Sequence, residues 1–248
     1  MVLNSFEPPV RAAVVGASNG IGAALVKALV DSGRCETVFA LSRDPSAIDA
    51  GPTVQAVRCD FDSPETISAA AEEIGQTGPL DLVIVASGLL HDGDRVAPEK
   101  DWRHLNHDQM LRVFEINTVG PSLVAGAFLP IMRRDPRSVF AALAARVGSI
   151  TDNRLGGWYS YRASKAALVM IIKSLAIELQ RKRRNTICVA LHPGTVDTGL
   201  SKPFQSATKP GQVVSPAVAA NHLLKVIDGL QADDSGRQFA WDGVEIAP

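Results

Sequence analysis

Tyr161 and Lys165, in the stretch Tyr161-Arg162-Ala163-Ser164-Lys165, are the residues whose types and spacing most directly suggest chemistry. Four apart on a helix, they share one face about a turn from each other. A free phenol titrates near pH ~10, and an ammonium beside it favours the phenolate and lowers that value by roughly 1–3 units. Such a pair can move a proton on or off an alcohol oxygen. Alone, the spacing equally suits a packed tyrosine and a lysine whose stem snorkels along the surface. A second group is Gly16-Ala17-Ser18-Asn19-Gly20-Ile21-Gly22. A dinucleotide pyrophosphate needs backbone close to its oxygens and a helix N-terminus aimed at it. Gly16 permits the tight turn, Gly20 the close approach, and Gly22 the packing of helix on sheet. The spacing departs from G-x-G-x-x-G, so a plain strand-to-helix turn is the competing explanation.

Both groups depend on elements that alternate strand and helix. Short apolar runs at Val10–Val15, Thr37–Leu41, Val54–Val57, Leu82–Val85, Val139–Leu143 and Thr186–Leu191 read as strands, with a last one near Gln238–Trp241. Helical spacing lies between them, at Ile21–Val30, Pro64–Ile74, about Asp108–Arg134, Tyr159–Arg181 and Pro216–Leu230. Continuous apolar strands separated by helices imply a parallel sheet covered on both faces. The expectation is therefore α/β: a Rossmann-type doubly wound parallel sheet of about seven strands in one domain, residues 1–248. Ser201–Ser215 holds Pro203, Pro210 and Gly211 without periodicity and reads as a long loop, either a substrate lid or a surface excursion.

Composition narrows the function classes. The chain has 248 residues, 46% of them apolar, enough for a large buried core. A formal net charge of −1 gives no reason to expect nucleic acid or a membrane surface. Arg181-Lys182-Arg183-Arg184, the one charge run, falls at a helix end where cations complement the dipole. The run Ala166–Ile172 is too short to span a bilayer, and the start Met1–Glu7 has no signal-peptide pattern. Cys35, Cys59 and Cys188 lie far apart in apolar segments, as expected of buried thiols in the cytoplasm.

The glycine loop, Asp60 after the third strand, Asn117 within Ile116-Asn117-Thr118-Val119-Gly120, the Tyr161/Lys165 pair and Pro193-Gly194 follow in an order that resembles the short-chain dehydrogenase/reductase family over nearly the whole chain. From Val147 through Leu168, with Asp152-Asn153-Arg154 and Gly156-Gly157-Trp158, it looks like the C-factor-like branch. The resemblance implies an oxidoreductase acting on a small carbonyl or alcohol. Tyr161 would exchange the proton, Lys165 would hold the nicotinamide ribose and lower the phenol pKa, and Asn117 would anchor a water in the relay. It also implies cofactor contacts at Gly16, Ser18, Asn19, Gly20, Ile21 and Gly22, at Asp60 and Phe61, at Ala86 and Gly88, and at Pro193, Gly194, Val196 and Thr198. A homodimer or homotetramer formed through the two long helices is implied as well.

Cofactor choice follows from charge. An acid at the end of the second strand would bind a ribose 2′-hydroxyl, whereas this strand ends Ala40-Leu41-Ser42-Arg43. A guanidinium suits a 2′-phosphate, so NADP(H) is expected over NAD(H), unless Asp44 neutralises Arg43. The family's pattern breaks in one important place. A serine that polarises the carbonyl is expected after the fifth strand, where the chain reads Leu143-Ala144-Ala145-Arg146-Val147-Gly148-Ser149. Aligned on Gly148, the hydroxyl position falls on Ala144 or Ala145; counted back from Tyr161, Ser149 would replace it. Ala86-Ser87-Gly88 likewise starts with alanine where the family has asparagine. The chain is thus either an NADP-dependent reductase, with Ser149 as substitute donor, or an impaired homologue that binds nucleotide and regulates.

Overall fold

The computed structural model describes residues 3–93, 95–207 and 211–248. Seven parallel strands form one sheet in the order β3-β2-β1-β4-β5-β6-β9. These are β1 (Val10–Val15), β2 (Cys35–Ser42), β3 (Val54–Arg58), β4 (Leu82–Val85), β5 (Ser138–Leu143), β6 (Thr186–His192) and β9 (Gln238–Ala240). The order reverses between β1 and β4, which is where doubly wound sheets open a crevice at their carboxyl ends. The strands run apolar without alternation because both faces are covered.

One face carries α1 (Gly20–Asp31) and α6 (Pro216–Gly229), whose Leu25, Leu29, Leu223, Leu224 and Ile227 pack on Ala12, Val14, Ile84 and Val189. The other carries α2 (Glu65–Gln76), α4 (Gly120–Phe128) and α5 (Tyr159–Lys182), through Ile67, Ile74, Phe128, Leu168 and Ile172 against Ala13, Val15, Val83 and Phe140. Each such aliphatic or aromatic side chain contributes about 1.5–3 kcal/mol when fully buried.

The helix expected over 108–134 is segmented. α3 (His107–Phe114) passes into a π-helical turn, Glu115–Val119, then α4, and ends in a 3₁₀ turn at Leu129–Ile131. By length and a mean hydropathy of 1.2 the run His107–Ile131 could cross a membrane. Here Val124, Ala125 and Phe128 are core residues against the sheet, and this accounts for its apolarity. The loop expected at 201–215 contains a 3₁₀ segment, Lys202–Ala207, and the short strand β8 (Val213–Val214), which pairs in parallel with β7 (Thr195–Val196). Pro210 lies outside the described residues, as do Met1 and Val2.

Candidate active site

The glycine loop leaves β1 and folds back on the first turn of α1. Gly16 and Gly20 have φ of +85° and +54°, which side-chain-bearing residues rarely adopt. A Cβ on Gly22 would sit 2.0 Å from the Gly16 carbonyl oxygen, so the turn tolerates no side chain there. Asn19 at the start of α1 caps nothing with its side chain, so the orphan N–H groups of that turn remain available. Gly16, Ser18, Asn19, Gly20, Ile21 and Gly22 all line one side of a cleft of about 820 Å³. A backbone cradle at a helix N-terminus, in a cleft of this size, fits a dinucleotide pyrophosphate.

At one end of the cleft stands Arg43. Asp44 does not neutralise it: its carboxylate accepts from the Ser46 amide (3.0 Å) and hydroxyl (2.6 Å), bonds that hold it below the usual carboxylate range. Two further guanidiniums line the cleft, Arg95 and Arg112. Arg112 pairs with Asp62, through Nη2 at 3.0 Å, and with Glu115 at 2.8 Å. The Arg112 hydrogen bond, with Arg43 and Arg95 nearby, holds the Asp62 carboxyl low. Arg95 pairs with Asp92, so this rim is a set of guanidinium–carboxylate pairs, and its Arg112–Asp62 member is not visible in the sequence because the two residues are 50 apart.

At the other end are Tyr161 and Lys165, both lining the cleft and both buried, with Tyr161 9% exposed. The Lys165 ammonium donates to the Leu143 carbonyl (2.7 Å) and lies 5.9 Å from the Tyr161 ring centre. Burial pushes the phenol up to about 12 and the lysine down to about 8. The expected lowering of the phenol is therefore reversed here, because loss of solvent disfavours both charged forms and the ammonium is turned toward Leu143.

Asn117 is fully buried in the π turn. Its amide donates to the Leu89 carbonyl (2.8 Å) and the Ser164 hydroxyl (3.1 Å), and its oxygen accepts from the Leu89 N–H (2.7 Å). It thereby ties the loop following β4 to α5, one residue before Lys165. Widened π turns of this kind recur at functional sites.

The remaining expected contacts divide. Phe61, Ala86, Gly88, Pro193 and Thr198 line the cleft. Asp60, Gly194 and Val196 do not: Asp60 accepts from the Asp62 amide (3.1 Å), and Val196 is buried in β7. Ser149 is a correction. A 3₁₀ turn, Arg146–Gly148, carries the chain away from the cleft, and the Ser149 hydroxyl accepts from the Asp152 amide at 3.0 Å. Ala144 lines the cleft and Ala145 packs on Tyr161, so the residues following β5 are the ones beside the phenol.

Glu99, 2% exposed, has no signature in the sequence. Its carboxylate accepts from the Ser160 N–H (3.2 Å), the Ser160 hydroxyl and the Gln109 amide (2.9 Å). Its carbonyl accepts from the Trp158 N–H at 2.6 Å. Trp158 precedes α5 in a left-handed conformation (φ 51°, ψ 42°) and caps nothing itself, so Glu99 supplies the cap from 61 residues away. An anion at a helix N-terminus is favourable, and here it fixes the turn that presents Tyr161.

Residues 11–209 match the sequence profile of a family described as short chain dehydrogenase. The chain is 34% identical over 233 residues to a 1-hydroxy-2-glutathionyl-2-methyl-3-butene dehydrogenase of Rhodococcus sp. (strain AD45), covering 93% of this chain and 96% of that protein. It is 35% identical over 176 residues to C-signal of Myxococcus xanthus, covering 68% of this chain and 93% of that protein. An NADPH-bound carbonyl reductase from chicken fatty liver superposes with a TM-score of 0.84 at 28% identity, covering 99% of this chain and 97% of the other.

Proposed function

This chain belongs to the short-chain dehydrogenase family, and from that premise we propose that it is an NADP(H)-dependent reductase of small carbonyl compounds. That it is a nicotinamide-dependent oxidoreductase follows from the family. The observation that carries the finer reading is one cleft with a glycine cradle and Arg43 at one end and the buried Tyr161/Lys165 pair at the other. The glycine loop would hold the pyrophosphate, Arg43 the 2′-phosphate, and Phe61 would flank the adenine. When bound, the reduced nicotinamide supplies the hydride that reaches the carbonyl carbon. Tyr161 gives its hydroxyl proton to the carbonyl oxygen as the C=O π bond breaks, so an alcohol results. Lys165, cationic near neutrality, stabilises the phenolate left behind, and Asn117 holds the Leu89 loop against Ser164, the residue before Lys165.

Ala144 and Ala145 support a second reading, a nucleotide-binding homologue of low activity with a regulatory role, because the expected carbonyl-polarising hydroxyl is missing there. Titrating the protein with NADPH and NADH, and then following nucleotide oxidation with aldehydes and ketones, separates the two. We expect tighter NADPH binding and measurable turnover. Tighter NADH binding would overturn the cofactor choice, and tight NADPH binding without turnover would favour the regulator.

Leu111, Val119 and Leu123 on α3 to α4, and Met170 and Ile177 on α5, are large apolar side chains left exposed. A homo-oligomer that buries them is part of the proposal. Three free cysteines suit a reducing compartment, and we assign the protein to the cytoplasm.

A further inference from the structure

Arg43, Arg95 and Arg112 all line the cleft, but they are held with very different firmness. The Arg112 side chain is 33% exposed and spans two carboxylates, Asp62 and Glu115. Moving it onto a ligand would leave both carboxylates without their cation. The exposed Arg43 guanidinium makes no ion pair or hydrogen bond among the described residues. Arg95 lies between these extremes. Its side chain is 83% exposed and pairs with one carboxylate, Asp92, three residues earlier.

The turn that carries Arg95 is held by its main chain. Asp92 and Val96 form an antiparallel bridge, in which the Asp92 amide donates to the Val96 carbonyl at 2.9 Å. The Arg95 amide donates to the Asp92 carbonyl at 3.1 Å. The Arg95 side chain can therefore leave Asp92 without undoing the turn. Arg43 follows β2 and Arg95 follows β4, yet both act on the Asp62 carboxyl and help to hold it low. The two guanidiniums thus converge on one region of the cleft from different elements.

Charge decides what that convergence is for. A phosphate monoester carries about −1.5 to −2 near neutrality. Arg43 offsets one charge at most, and Asp92, which lines the same cleft, repels the rest. A second cation completes the balance. Arg112 is committed, whereas an exposed pair such as Arg95–Asp92 contributes little and is given up easily. A guanidinium fork on phosphate is among the stronger polar contacts, so exchange from Asp92 to phosphate runs downhill.

We propose that Arg95 leaves Asp92 for the 2′-phosphate of the nucleotide, which is then gripped between Arg43 and Arg95. The inference rests on the NADP(H) reading and adds a second specificity-determining residue to it. It also gives Asp92 a role, as the internal competitor that holds Arg95 until the phosphate arrives.

Calorimetric titration of the full chain with NADPH, NADH, 2′,5′-ADP and 5′-AMP tests this without turnover. Arg95→Ala should raise the Kd for NADPH and 2′,5′-ADP by about tenfold or more, and leave NADH and 5′-AMP within about twofold. Arg95→Lys should recover part of the loss, because an ammonium keeps the charge and lacks the fork. Asp92→Asn removes the competitor and should tighten NADPH by about two- to fivefold, with NADH unchanged. In an Arg43→Ala/Arg95→Ala protein, NADPH should bind no better than NADH.

An Arg95→Ala protein that binds NADPH like wild type, or weakens both nucleotides equally, would overturn the inference. So would an Asp92→Asn protein that loses NADPH affinity, since the pair would then be shaping the turn rather than competing with phosphate. A wild type that binds NADH as tightly as NADPH would overturn the NADP(H) reading itself. A wild type that prefers NADPH, with Arg95→Ala unchanged, would remove Arg95 alone.

Discussion

At the scale of single residues, burying the Lys165 ammonium costs stability. Its pKa falls from 10.5 to about 8, a disfavouring of the charged form on the order of 3 kcal/mol. The sign follows from proton counting. Between about pH 8 and 10.5 the unfolded chain binds more protons at this site than the native one, so stability rises with pH across that window. Tyr161 acts oppositely between 10 and about 12, where the native state retains a proton the unfolded state has lost. Lys165→Met should therefore raise nucleotide-free stability at pH 7 by roughly 1–2 kcal/mol, after the lost bond to the Leu143 carbonyl is deducted. Urea denaturation from pH 7 to 9.5 should show the gain shrinking as pH rises, and a destabilised variant at pH 7 would contradict it. Arg43→Ala should weaken NADPH by about 10–150-fold, the equivalent of one charge-assisted contact, and leave NADH nearly unchanged. Equal losses for both nucleotides in calorimetry would remove Arg43 from 2′-phosphate recognition.

At the scale of elements, two turns position the site. Gly22→Ala forces a Cβ into the Gly16 carbonyl, so it should lower thermal stability and weaken both nucleotides, measured by melting with and without each. Glu99→Gln keeps one acceptor but turns an amide N–H₂ toward the Ser160 or Gln109 donors. It should lower kcat about tenfold or more with little change in NADPH affinity, since Glu99 touches α5 and not the cleft; an unchanged kcat would make it a mere packing group. These turns also mark what was legible. Tyr161, Lys165 and the glycine loop were readable because their chemistry depends on local spacing, and the alternation of apolar runs gave the doubly wound sheet. Glu99 and Arg112 were not, because each acts on a partner 50 or more residues away, and Glu99 sits in a stretch without periodicity. Of the two positions the sequence leaves open for the hydroxyl, Ser149 lies outside the cleft because the 3₁₀ turn at Arg146–Gly148 intervenes, which a count back from Tyr161 does not register. The π turn at Asn117 escaped because five residues are too few to separate its period from an α-helix's.

At the scale of the whole molecule, the sheet's reversal between β1 and β4 opens the crevice, and the helices on both faces fix its walls. The exposed apolar side chains of α3 to α4 and α5 make the oligomer a testable consequence. Leu123→Asp with Met170→Glu should shift sedimentation toward the monomer, and an unchanged assembly would exclude this face. The proposed function depends on proton transfer from Tyr161 in the same cleft as the glycine cradle, and Tyr161→Phe tests it most directly. With NADPH and an aldehyde, we expect the rate of nucleotide oxidation to fall by about 10²–10⁴ while NADPH affinity stays within twofold or so of wild type. A Tyr161→Phe protein that oxidises NADPH at the wild-type rate would contradict it.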